Sequence, residues 1–161
     1  ADAILLLSLI SGRNPDYLIG EHIRAAKRLK RSELEIIPTG YILIGGGAKI
    51  SMQSVTRTTP IHRTDNTLAV STAIAGELLG MKIIYLEAGS GAKHPLSASL
   101  VKEGRNNISS PLIAGGGIDS SGKAIQLLRS GADMIVVGNA IEKDVTLVKK
   151  ISCELIRINA N

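Results

Sequence analysis

The chain has 161 residues, enough for one domain with one hydrophobic core. Its 44% hydrophobic and 20% charged residues are ordinary for a folded domain and argue against a disordered chain. A net charge of +5 reads either as a solvated basic surface centred on Arg24–Arg31 or as attraction for polyanions or a membrane face. With no Phe, no Trp and three Tyr, a nucleic-acid partner is not expected, because base-stacking side chains are nearly absent. The lone Cys153 excludes an intrachain disulfide and a CxxC metal site and fits a reducing cytoplasm. No apolar run of ~18 residues and no signal-peptide pattern occur.

The elements follow in chain order. Residues 3–10 (AILLLSLI) form an apolar run expected to be a buried strand. Asn14 and Pro15 open a helix expected over 15–30. A second strand is expected from Leu34–Pro38 through Tyr41–Ile44. Gly45-Gly46-Gly47 then begins a long polar stretch to about Thr64, read as a functional loop. Thr64 or Asp65 caps a helix of about 65–79, closed by Gly80. Lys82–Glu87 is the third strand, and 95–106 a helix with Pro95 near its start. Pro111–Ala114 is the fourth strand. Ser120 or Ser121 caps a helix to Ser130, and Asp133–Val137 is the fifth strand. Residues 142–158 are expected to be one terminal helix, with Ile141, Val145, Val148 and Ile151 at helical spacing.

This is a βα unit repeated five times without a hairpin signal, so parallel strands with helical crossovers are expected. The second half carries three strands that stop at small residues: IIYLEAGSGA (83–92), PLIAGGGID (111–119) and ADMIVVGNAIE (132–142). Bare backbone at strand ends lets main-chain N–H groups approach an anion, and a following helix adds its dipole. A phosphorylated small molecule is the expected ligand. Two such turns in succession favour a (β/α)₈ barrel over a doubly wound sheet, because barrels commonly hold phosphate after their last two strands. The expected fold class is therefore α/β, of the (β/α)₈ TIM-barrel type. Only about the last five βα units stand in this chain, read as a single domain over 1–161. The start at Ala1, already inside a strand, agrees with that expectation.

Gly115-Gly116-Gly117-Ile118 reads as a phosphate cradle or as a tight turn needing positive φ. Gly138-Asn139 is a common turn pair alone and gains meaning beside the first loop. By alternation Tyr85 and Glu87 share a face, inward in a barrel. Glu87 there serves as a hydrogen-bond acceptor for ligand hydroxyls or as a general base; the plainer reading is a strand-end carboxylate paired with a Lys. Ser90 is placed to donate to a ligand. Thr39 and Tyr41 also share a face, either lining the pocket or packed in the core. His22, His62 and His94 show no metal-ligand spacing and read as surface or loop histidines.

YLEAGSGA (85–92), GGGI (115–118) and VVGN (136–139), in this order and spacing, resemble the geranylgeranylglyceryl phosphate synthase family with its bacterial heptaprenylglyceryl phosphate relatives. ADAILLLSLISGRNP (1–15) and EIIPTGYILI (35–44) are similar to that family's fourth and fifth strands. Ala-Gly-Ser after the Glu looks like the archaeal-type branch. The resemblance implies a barrel prenyltransferase that joins sn-glycerol 1-phosphate to a polyprenyl diphosphate, usually geranylgeranyl diphosphate. The reaction uses Mg²⁺ and is the first ether-forming step of archaeal membrane lipid synthesis. It implies glycerol phosphate binding by Tyr85, Leu86, Glu87, Ala88, Gly89, Ser90 and Gly91, with Gly116, Gly117, Gly138 and Asn139 around the phosphate. Glu87 is then the catalytic candidate. It also implies a homo-oligomer, and metal ligands in first and second strands that this chain lacks, with none here, since neither Asp2 nor Asp16 stands in a ligating context; the basic surface suits peripheral membrane contact. The alternatives are an isomerase or lyase on another phosphate-binding barrel, or a barrel fragment that binds phosphate without turnover.

Overall fold

The computed structural model describes residues 1–45, 56 and 58–159. The strands are β1 (Ala3–Leu9), β2 (Glu35–Gly45), β3 (Ile61–His62), β4 (Ile83–Glu87), β5 (Leu112–Gly115) and β6 (Met134–Val136). The helices are α1 (Glu21–Arg31), α2 (Asn66–Leu78), α3 (Ala98–Asn107), α4 (Ser121–Arg129), α5 (Asn139–Lys143) and α6 (Thr146–Asn159). A single π-type turn, Asp16–Gly20, leads into α1.

Every strand pair is parallel, and the sheet order is β1-β2-β4-β5-β6 with β3 against β2. The order never reverses. A doubly wound sheet reverses at its switch point and carries helices on both faces. Here the two faces have different fillings. Ile42, Ile44, Ile84, Leu86, Leu112 and Ala114 pack against residues of α2, α3, α4 and α6, including Ala73, Leu100, Leu127 and Ile151. The opposite face holds strand residues, Leu9, Tyr41, Leu43, Ile83, Tyr85 and Ile113, with Tyr17 packed alongside. Helices outside and strand side chains inside define a barrel-type half. The inner face opens at both edge strands, where Leu7, Met134 and Val136 are exposed.

Local chemistry sets the helix limits. Asp65 Oδ1 accepts from Leu68 N–H at 3.0 Å and starts α2. Ser120 Oγ accepts from Lys123 N–H and starts α4. Each side chain satisfies one of the amides that a helix start leaves without a partner. Ser97 caps α3, so the helix expected over 95–106 begins at Ala98. The expected 15–30 helix divides into the Asp16–Gly20 turn and α1, with Asn14 Oδ1 accepting from Asp16 N–H. Helix α1 exposes Arg24, Lys27, Arg28, Lys30 and Arg31 and buries no residue fully.

Two further expectations are corrected. The polar stretch read as one loop contains β3, which pairs Ile61 with Ile44 and His62 with Gly45; residues 46–55 and 57 lie outside the described part. The expected terminal helix is two helices broken at Asp144-Val145. Asp144 accepts from Thr146 N–H and Oγ1, which starts α6 afresh. Leu147 and Ile151 are buried, whereas Val145 and Val148 are exposed, so the expected stripe does not exist.

Candidate functional site

The parallel register aligns the strand ends. Glu87 pairs with Gly115, and Gly115 with Val136, so the three glycine-bearing turns leave the sheet at one level. Between them lies a cavity of about 560 Å³. Glu87, Ser90, Gly91, Gly116, Gly117, Gly138 and Asn139 line it, together with Tyr41.

Glu87 sits on the inner face and is 7% exposed. Its Oε2 accepts from the Tyr85 hydroxyl at 2.7 Å and its Oε1 from the Gly89 N–H at 2.7 Å. Each carboxylate oxygen keeps a lone pair for a ligand. No Lys or Arg among the described residues pairs with Glu87, which removes the strand-end ion-pair reading. Burial pushes the Glu87 carboxyl above its ordinary value, against the two hydrogen bonds, which act to lower it. Burial first and the Glu87 charge second push both Tyr85 and Tyr41 up, so both phenols remain protonated donors.

The glycine run has a steric cause at each position. A Cβ on Gly115 would stand 2.6 Å from Glu87 Oε2 and from the Tyr85 hydroxyl. One on Gly116 would meet Glu87 Oε1 at 2.6 Å and Gly89 N at 2.8 Å; one on Gly117 would meet the His94 carbonyl at 2.5 Å. Gly116 and Gly117 also have φ of +84° and +68°. The run therefore lets the carboxylate and the 89–95 loop close over the strand end. Gly138 differs, because a Cβ there would meet nothing within 4 Å. No packing demand explains that glycine, and its open side faces the cavity. Across it, Ser90 Oγ donates to Asn139 Oδ1 at 3.0 Å, which ties the first glycine turn to the third.

The site residues expected from the sequence divide in space. Tyr85 and Gly89 act on Glu87, while Ser90, Gly91, Gly116, Gly117, Gly138 and Asn139 surround the cavity. Leu86 and Ala88 point the other way, into the helix-side core, because strand alternation opposes them to Tyr85 and Glu87. Their side chains do not reach the cavity. Lys143 lines it and was not singled out in the sequence. Its signal was available: a Lys one helical turn after Gly138-Asn139. Asp119 and Asp144 line it too, but Lys123 holds Asp119 and Thr146 with Lys150 holds Asp144, and both carboxyls stay below their ordinary range. Among the described residues no three His, Cys, Asp or Glu side chains group as a metal-ligand set.

Glycine turns beside a buried carboxylate at the carboxyl ends of parallel strands stand where barrel folds commonly hold a phosphate. The model of the PcrB family matches residues 1–154, and the chain belongs to that family. It is 49% identical over 152 residues to a geranylgeranylglyceryl phosphate synthase of Chitinophaga pinensis, covering 94% of this chain and 60% of that one. A Pyrococcus horikoshii protein of the same name is 43% identical over 143 residues, covering 89% and 56%. The wild-type enzyme of that kind from Thermoplasma volcanium superposes with a TM-score of 0.85 at 33% identity, covering 94% of this chain and 60% of that one. The Thermoplasma acidophilum (S)-3-O-geranylgeranylglyceryl phosphate synthase, solved in complex with its substrate sn-glycerol-1-phosphate, superposes at 0.86 with 32% identity and the same coverage. The chain thus spans about three-fifths of the length of these relatives.

Proposed function

We propose that this chain carries the glycerol phosphate half of a prenyltransferase site. The acceptor is sn-glycerol 1-phosphate and the donor a polyprenyl diphosphate, geranylgeranyl diphosphate first among them. One observation carries the reading: a buried carboxylate without a cation partner among the described residues faces a cavity rimmed by bare glycine turns. The phosphate fits beside Gly116, Gly117, Gly138 and Asn139, with Lys143 supplying positive charge. The hydroxyls then fall to Glu87, which accepts from them.

In the reaction the acceptor's C3 oxygen attacks C1 of the prenyl chain. A carbon–oxygen bond forms, the bond from C1 to diphosphate breaks, and diphosphate leaves with the electron pair. The hydroxyl proton passes to the Glu87 carboxylate, whose raised pKa makes it a better base. Gly89 N–H and the Tyr85 hydroxyl fix the carboxylate's rotamer, so the attacking oxygen meets a pre-positioned base. Mg²⁺, which the family resemblance brings, finds no ligand set among the described residues, and no step here depends on it. The single-domain reading belongs to the same proposal. So do a cytoplasmic location and a homo-oligomer, and a peripheral membrane contact that the exposed cations of α1 support. Among the described residues no helix is long and apolar enough to cross a membrane.

The test is turnover by the intact natural protein. Labelled geranylgeranyl diphosphate, sn-glycerol 1-phosphate and Mg²⁺ should give a prenylglyceryl phosphate, and a chelator should stop it. Glycerol phosphate binding without product would assign the turns to other phosphate chemistry.

A further inference from the structure

A second cavity, of about 130 Å³, lies under the 88–92 turn on the helix side of the sheet. Ile44, Ala88, Ala92, Pro95, Leu96 and Leu100 give it an apolar lining, and no Asp or Glu among the described residues reaches it. Among the described residues only Ala92 also lines the cavity beside Glu87, so the two spaces are distinct.

Arg63, Lys93 and His94 also line this second cavity, and all three are exposed. Neither Arg63 nor Lys93 has an ion-pair partner among the described residues. The transferase reading uses none of the three. Their backbones are nevertheless held in place. Arg63 N–H donates to the Gly45 carbonyl at 2.8 Å, next to the pairing of His62 with Gly45. The His94 carbonyl is seated on Gly117, where a Cβ would stand 2.5 Å from it. Helix α3 starts at the same place: Ser97 and Leu100 line the cavity, and the free amides of that first turn add positive potential.

Cations on a fixed backbone beside a small apolar space call for a ligand with two unlike ends. An apolar protein cavity of ~150 Å³ takes up one benzene molecule, so this one suits a group of about five carbons. Arg63 offers a fork of N–H donors and Lys93 a point charge, a combination suited to phosphate. A bare phosphate would leave the apolar lining unused, and an uncharged alcohol would leave the cations unused. The twenty-carbon chain of the prenyl donor needs several times this space, so the site is not the donor's.

We propose that this cavity binds a small amphiphilic phosphate, with a body of about five carbons inside and its head on Arg63 and Lys93. It is a ligand site separate from the one beside Glu87, and it does not depend on the transferase reading.

The test is a methyl NMR titration of the intact natural protein with 3-methylbutyl phosphate, inorganic phosphate and 3-methylbutanol. The methyl groups of Ile44, Leu96 and Leu100 report this cavity and not the one beside Glu87. 3-Methylbutyl phosphate should shift their signals saturably, and bind at least about tenfold more tightly than either inorganic phosphate or the alcohol. Arg63→Ala and Lys93→Ala remove exposed side chains and keep the lining, and each should weaken that titration about tenfold. Shifts that never saturate would overturn the assignment. So would equal binding of inorganic phosphate or of the alcohol, or a titration that neither variant changes.

Discussion

Replacing Gly116 by Ala puts the strand-end geometry under a quantitative test. The new Cβ would stand 2.6 Å from Glu87 Oε1, 2.8 Å from Gly89 N and 2.9 Å from Gly89 O. Two of these contacts are backbone, so rotating a side chain does not relieve them, and the 89–91 turn must move by roughly half an ångström or more. The backbone also stands at φ +84°, where a side chain costs about 1–2 kcal/mol. Overpacking adds about 1–3 kcal/mol. Together this is about 2–5 kcal/mol, a fall in Tm on the order of 5–15 °C for a chain of this size. Displacing the Glu87 carboxylate should also cost about 10²-fold in kcat/KM. Gly138→Ala is the contrast, because its Cβ meets nothing. It should leave Tm within about 1–2 °C and still weaken glycerol phosphate binding, since the methyl group projects into the ligand's space. Calorimetric unfolding and steady-state kinetics on both variants decide the matter. A Gly116→Ala protein with wild-type Tm and wild-type kinetics would refute the account of the glycine run.

Further outcomes follow from single groups. Burial raises the Glu87 pKa above its ordinary value of 4.5, so folding favours the protonated form more than the unfolded chain does. The stability it gives is present below pH 4.5 and is lost as pH rises through the native pKa. Glu87→Gln should therefore be more stable than wild type at pH 7, by denaturant unfolding, and nearly inactive; a Gln variant less stable at pH 7 but equal at pH 4 would contradict the burial argument. Lys143→Ala should weaken glycerol phosphate binding about tenfold by loss of a charge-assisted contact and flatten its salt dependence, as read by titration calorimetry. Gly122 lies in the first turn of α4 with no neighbour within 4 Å of its Cβ position. Gly122→Ala should raise stability by about 0.5–1 kcal/mol and leave kinetics alone; an unchanged or lower Tm would count against the helix assignment there.

The carboxylate and its neighbours were legible because two-residue alternation is rigid in a strand: Tyr85 and Glu87 had to share a face. The same rule turned Leu86 and Ala88 away, although the contiguous YLEAGSG string carried them into the expected site. Parallel order was legible from repeated βα units and the absence of hairpin turns, and the barrel type from two successive phosphate-type turns. What escaped the sequence was local competition. Val145 continues a helical apolar stripe on paper, but Asp144 bonds the Thr146 amide and starts a new helix, which no periodicity reports. Ile61–His62 is too short to show a period, and its pairing depends on Gly45 and Ile44 far away in sequence. Tyr41 stayed open between pocket and core because it is both: its ring packs on Tyr85 while its hydroxyl faces the cavity.

The central claim is that the glycine turns hold phosphate while Glu87 holds hydroxyls. A crystal structure of the intact protein with sn-glycerol 1-phosphate tests it most directly. The phosphorus is expected between Gly116–Gly117 and Gly138–Asn139, with Lys143 nearby and a glycerol hydroxyl within hydrogen-bonding distance of Glu87. A phosphate bound elsewhere, or a glycerol chain pointing away from Glu87, would contradict it.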